Sequence, residues 1–148
     1  MKNTFKKLAA MALAAVMMVA VSVPAFAATT TEVNITTYKS GTTDASMAQA
    51  ALTTGTIIYD EDSNETYVEF SVAPIEKYGM VGYLTAFSID GINLVGTDLD
   101  GDDYADVFSE TFEGKLELDK VYSASIDMVA SGYVHSGYGL DIVFSAVE

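Results

Sequence analysis

An all-β, antiparallel β-sandwich of about eight strands with one short helix after the first strand is the fold this sequence predicts. Three observations lead there. Apolar residues recur with period two along most of the chain, as in strands that bury one face. Gly and Asp cluster at short intervals between those runs, as turns require. Only one segment, Asp44 to Leu52, has the Ala-, Met- and Gln-rich composition of a helix, with Asp44 placed to cap it.

The elements follow in order. Residues 1–27 are set apart as a secretory signal: Lys2, Lys6 and Lys7 form a basic start, an apolar run extends from Leu8 to Val23, and Pro24 ends it. Ala25-Phe26-Ala27 puts small residues at the two positions a signal peptidase inspects, so cleavage is expected after Ala27. The apolar run is shorter than the roughly 20 residues a membrane-spanning helix needs. Residues 28–32 read as a short lead, and residues 33–148 as one domain. Strands are expected at Val33 to Tyr38, Gly55 to Tyr59, Tyr67 to Val72, Tyr83 to Ile89, Ile92 to Val95, Val107 to Phe112, Tyr122 to Met128 and Leu140 to Phe144. The clearest put Val68, Phe70 and Val72 on one face, then Tyr122, Ala124, Ile126 and Met128, then Leu140, Ile142 and Phe144. Turns are expected at Asp60 to Asn64, at Asp90-Gly91 and at Asp100-Gly101.

Composition removes several function classes. All 21 acids fall in residues 28–148 with four of the seven lysines and no Arg, a net of −17. Such a domain repels phosphate backbones and anionic membrane surfaces, so neither nucleic acid nor membrane insertion after signal cleavage is expected. With no Cys there is no disulfide, no thiolate metal site and no cysteine nucleophile, and one His rules out sites built from several. No Ser sits in a nucleophile elbow, and no Trp or Arg is present to build a sugar or phosphate subsite. The chain is read as non-enzymatic.

Several short motifs carry a resemblance. Asp44-Ala45-Ser46-Met47 opens the helical segment, Gly79-Met80-Val81-Gly82-Tyr83-Leu84 forms a turn into a strand, and Tyr138-Gly139-Leu140-Asp141-Ile142-Val143-Phe144 closes the chain. In this order they resemble the NEAT (near-iron-transporter) domains of Gram-positive bacteria, from about Val33 to Val147. The resemblance implies an immunoglobulin-like sandwich with haem held in a slot between the short helix and the last hairpin. It implies secretion or display at the cell surface, and a role in iron acquisition with haem or a haemoprotein as partner. In haem-binding members two Tyr four apart enter the last strand, the first ligating iron through its phenolate and the second hydrogen-bonding to it. A phenolate is a hard anionic donor suited to ferric iron.

Carried onto this chain, the second Tyr is Tyr138, but the position four earlier is Val134. Tyr133 lies one residue further back and His135 one residue after Val134. A one-residue shift turns a strand side chain to the opposite face. Either a bulge within Ser131 to Gly137 returns Tyr133 to the slot, or the ligand is lost. The resemblance also implies Ser46 beside a propionate and Met47 over the porphyrin, with His135 an alternative ligand if its ring faces the slot.

A second constellation is Asp98-Leu99-Asp100-Gly101-Asp102-Asp103-Tyr104-Ala105-Asp106. Carboxylates at its first, third, fifth and ninth places, with the Tyr104 carbonyl between, are the oxygen donors that encircle calcium. The pattern departs from an EF-hand loop, since the sixth place is Asp103 instead of Gly. A solvated acidic turn is the alternative. Two functions therefore stand: a secreted haem-binding module, and a non-catalytic module on the same sandwich that binds a host or cell-surface protein, with calcium ordering the acidic loop.

Overall fold

A computed structural model of the chain describes residues 28–148; the expected signal segment, residues 1–27, lies outside the described residues. Ten strands and one turn of 3-10 helix (η1) make up the described residues: β1 (Ala28–Lys39), η1 (Met47–Ala50), β2 (Leu52–Asp60), β3 (Glu65–Val72), β4 (Ile75–Lys77), β5 (Met80–Ile89), β6 (Ile92–Asn93), β7 (Val95–Thr97), β8 (Val107–Glu113), β9 (Val121–Ala130) and β10 (Tyr133–Ala146). All strand pairs are antiparallel, in the order β4-β5-β9-β10-β1-β2-β3-β8-β7, with β6 alongside β5.

This single sheet folds on itself into the two layers of a sandwich. One corner is β1. Residues 28–34 pair with β2, whereas residues 33–39 pair with β10, so one strand serves both layers. The other corner is Leu94, where the chain leaves β6 beside β5 and enters β7 beside β8. The all-β antiparallel sandwich expected from patterning is thus the observed fold.

Aromatic rings join the layers. Phe70 of β3 stacks on Phe144 of β10 at 5.2 Å between centroids and lies 6.0 Å from Phe87 of β5. Phe87 in turn meets Phe108 of β8 edge-on at 5.9 Å. All four rings are buried, and each contributes about 1.5–3 kcal/mol over an exposed position. With no disulfide to help, this core holds the fold. Gly55 is required beneath it, because a Cβ there would meet Phe70 Cδ1 at 2.3 Å and the Glu69 carbonyl at 2.9 Å.

Three expectations are corrected. Residues 28–32 are not a lead; they are the first half of β1, paired with residues 56–60. The strand count rises because β4 and the split of β6 from β7 were not foreseen; both corrections concern pieces of two or three residues, too short for alternation to register. The expected helix over Asp44 to Leu52 is a four-residue 3-10 turn capped by Ser46. Tertiary hydrogen bonds override helix propensity there. The Lys39 amide donates to the Asp44 carbonyl at 2.8 Å and the Ser46 amide to the Thr37 carbonyl at 2.9 Å, which holds residues 44–46 against β1. Gln49 completes the splice: its side-chain carbonyl accepts from the Thr37 amide at 2.7 Å, and its NH₂ donates to the Ile35 carbonyl at 2.9 Å. The Gln49 amide thereby takes over β1's edge where β2 has turned away.

Candidate functional site

The turns that shape the candidate site repeat one device. Tyr78-Gly79 joins β4 to β5 and Ser131-Gly132 joins β9 to β10, and in both pairs the two residues have positive φ (53° and 75°, 50° and 78°). This is the two-residue turn whose twist matches antiparallel strands, and Gly at the second place makes it inexpensive. The two hairpin ends rise side by side, because Gly82 pairs with Ala130 across β5 and β9.

Between them and η1 lies a groove of about 230 Å³. Met47 enters it from η1, and Ile75, Lys77, Tyr78, Met80 and Gly82 from the β4–β5 hairpin. Met128 and Ala130 of β9 form its floor, and His135 and Tyr138 of β10 its far wall. Gly82 keeps that floor open, since a Cβ there would sit 3.1 Å from Met128 Cε.

A bulge in β10 decides which side chains face the groove. His135 pairs with Met128, but Tyr138 pairs with Ile126, so Ser136 and Gly137 together oppose Asp127. Gly137 takes φ 72°, and its amide donates to Asp127 Oδ1 at 2.8 Å, which pins the extra residue outward. Directly opposed residues in an antiparallel pair share a face. Tyr133, His135 and Tyr138 therefore all lie on the face of Ala130, Met128 and Ile126, which is the core face. Tyr133 is returned to the correct face, yet it is 74% exposed and is not among the groove-lining residues. The side chains that reach the groove are His135 and Tyr138, with ring centroids 6.2 Å apart. Neither side chain makes a hydrogen bond among the described residues, so the imidazole nitrogens and the phenol are free to serve a ligand.

Of the other residues nominated from sequence, Met47 lines the groove and Ser46 does not. The Ser46 hydroxyl is engaged twice, donating to Thr37 Oγ1 at 2.8 Å and accepting from the Ala48 amide at 3.2 Å. It caps η1 and holds the buried Thr37. Sequence reading missed Lys77, Met80 and Met128. Met128 was visible as a core-face residue of its strand, but nothing in the spacing announced that β4 would bring Lys77 to the same groove.

The acidic segment, residues 98–106, lies between β7 and β8 and is anchored by Tyr104, which stacks on Tyr83 of β5 at 3.9 Å and 6°. Its carboxylates organise its own backbone. Asp98 accepts from the Gly101 and Asp103 amides at 2.7 and 2.9 Å, and Asp106 Oδ2 from the Leu99 and Asp100 amides at 2.6 and 3.2 Å. Asp102 accepts from the Tyr104 amide at 2.8 Å. Oxygens of Asp98, Asp100 and Asp106 come within 4.8 Å of one another; Asp102 is outside that group.

Two pKa directions record this arrangement. The Gly101 amide bond, with further amides behind it, holds Asp98 below the ordinary carboxylate value against a small desolvation cost. At Asp100 the Asp102 amide also lowers the value, but desolvation and the charges of Asp102, Asp106 and Asp98 outweigh it, and the net direction is up.

No protein-family model, curated protein or solved structure matches this chain.

Proposed function

We propose that this chain is a secreted, non-catalytic NEAT-like binding module that captures or relays haem for iron acquisition, taking one edge of the porphyrin into the groove between η1 and the β9–β10 hairpin. The observation that carries this reading is the Ser136-Gly137 bulge, which turns Tyr133, His135 and Tyr138 to one face and sets two of them in a methionine-lined groove. A flat apolar ring suits Met47, Met80 and Ile75, whose flexible or branched side chains adapt to it. At about 230 Å³ the groove is smaller than the ~300–1,000 Å³ sites that engulf a ligand. A porphyrin would insert part-way and leave its propionates at the mouth, where Lys77 is the only cation among the groove-lining residues. Tyr138 offers the phenolate for ferric iron, His135 the neighbouring imidazole, and the exposed Tyr133 a contact at the mouth.

The test is a haemin titration of the purified protein followed at the Soret band. The expected result is a saturable one-to-one change that Tyr138→Ala abolishes and Tyr133→Ala leaves largely intact. A flat titration with the unaltered protein would sink the haem reading.

A second reading rests on a separate observation. Tyr78 is 87% exposed, Tyr133 74% and Val134 71%, and all three belong to the two hairpin ends that flank the groove. Such an apolar rim suits a host or cell-surface protein, a haemoprotein included, with calcium at Asp98, Asp100 and Asp106 ordering the adjoining loop. If that reading holds, the melting temperature rises with calcium and returns with a chelator, and the rise disappears in Asp106→Asn.

A further inference from the structure

Residues 28–148 contain three methionines, Met47, Met80 and Met128, and the chain contains one histidine, His135. All four line the same groove. They arrive from four different elements, η1, β5, β9 and β10, so no local repeat explains their meeting. In a chain without Cys, thioether and imidazole are its softest available donors. We propose that this groove is a binding site for monovalent copper, Cu(I), ligated by the sulfurs of Met47, Met80 and Met128 together with a ring nitrogen of His135.

The chemistry favours that ion over others. Thioethers are neutral, soft and polarisable, and select Cu(I), whereas calcium, magnesium and manganese want oxygen donors. No carboxylate is among the groove-lining residues, and the acidic loop draws its donors from another part of the chain. Thioethers, unlike thiols, have no proton to lose on binding a metal. His135 makes no side-chain hydrogen bond among the described residues, and pairing with Met128 puts the two residues on the same face of the sheet. Met47 and Met80 are 46% and 49% exposed, so their long side chains have room to close over an ion; Met128 is 5% exposed and fixes the floor. Lys77 opposes a cation, but its ammonium is engaged over the Tyr78 ring, 5.2 Å from the centroid. The charge of residues 28–148, −17, draws cations to the domain at long range, an attraction that an anionic porphyrin lacks.

Copper and a porphyrin would compete for this one groove, but the two readings fail separately, since copper requires the thioethers and haem the Tyr138 phenolate. The experiment is an anaerobic competition for Cu(I), supplied with ascorbate, between the purified protein and a chromogenic Cu(I) chelator. The expected result is one Cu(I) removed from the chelator per chain. Met47→Leu and Met80→Leu, which keep an apolar side chain of similar volume at exposed positions, should each weaken binding at least about tenfold, the loss that disturbing even an outer-sphere partner brings. His135→Gln should do the same, and Tyr138→Phe should not. X-ray absorption of the loaded protein should show sulfur in the copper shell. No transfer from the chelator overturns the proposal. So does binding that survives in the Met47→Leu/Met80→Leu double variant, or that disappears instead when Asp98 and Asp100 are replaced by Asn, since the copper would then lie on the acidic loop.

Discussion

At the scale of single residues, the acidic loop shows how one set of carboxylates is pulled two ways. Asp98 is held below its ordinary value by the Gly101 amide first and by further backbone amides after it. A depressed folded pKa means stability that is fully present above the unfolded value and is lost as pH falls through the lower, folded one. Asp100 has the opposite sign, because desolvation and three neighbouring charges overcome its one lowering hydrogen bond. Its ionised form strains the folded state at neutral pH, and the strain is relieved as pH falls through its raised value. Asp98→Asn should therefore lower the melting temperature at pH 7 and make little difference once the pH is below the folded value of Asp98. Asp100→Asn should raise the melting temperature at pH 7, and the gain should shrink on acidification. Thermal melts of the two variants across pH 3–7, without calcium, check both signs. Shifts of the same sign in both variants would mean that the loop's charges act only through net charge.

At the scale of elements, the β10 bulge carries most of the site's geometry. Gly137→Val removes the residue whose positive φ permits the bulge, so with the strand regular and every residue kept, Tyr133 and His135 should rotate to the outer face while Val134 takes the inner one. Residues 133–137 are exposed, so the substitution should cost little stability. It should eliminate copper binding through His135 and leave Tyr138 available, giving a Soret change without copper transfer. Loss of both with an unchanged melt would mean that the hairpin end moves as a unit. The bulge was legible only in outline. Ser131 to Gly137 holds two Gly and two Ser, which permits a bulge, but its position depends on the Gly137 amide finding Asp127 in the next strand, a pairing no single-strand pattern contains. The long strands were legible because Val68, Phe70, Ile126, Ile142 and Phe144 repeat with the sheet's own period. The segment around Met47 was misread for the converse reason. Its Ala-rich composition favours a helix in isolation, whereas Gln49 is engaged by Thr37 and Ile35 of another element. Local propensity cannot see a partner many residues away. Lys77 was missed as a site residue because β4 is three residues long, too short to show a period, and Met80 because it opens β5 directly after the turn, ahead of that strand's regular pattern.

At the scale of the whole molecule, charge and shape make opposing demands on the groove. The fold closes around Phe70, Phe87, Phe108 and Phe144, and both hairpin ends are left to carry apolar surface in a domain that is otherwise acidic. A net of −17 over residues 28–148 sets up a field that reaches well beyond any single contact at low salt and shrinks to about 8 Å at ~0.15 M. Haem carries two propionates and copper a positive charge, so salt must act on them in opposite directions. Raising the ionic strength from ~0.01 to ~0.15 M should speed haemin association, since repulsion over about 30 Å is cut to about 8 Å. The same change should slow Cu(I) capture, because the attraction that concentrates cations near the groove is screened. Stopped-flow rates across that range would measure both slopes on one protein. Neutralising Asp98, Asp100 and Asp102 by Asn should flatten both slopes without touching a groove-lining residue. If haemin association were instead slowed by salt, the porphyrin would be steered by Lys77 locally and not by the domain's net charge. Exchanging Lys77 for Gln would then abolish that dependence, which separates a rim contact from a field generated by the whole surface.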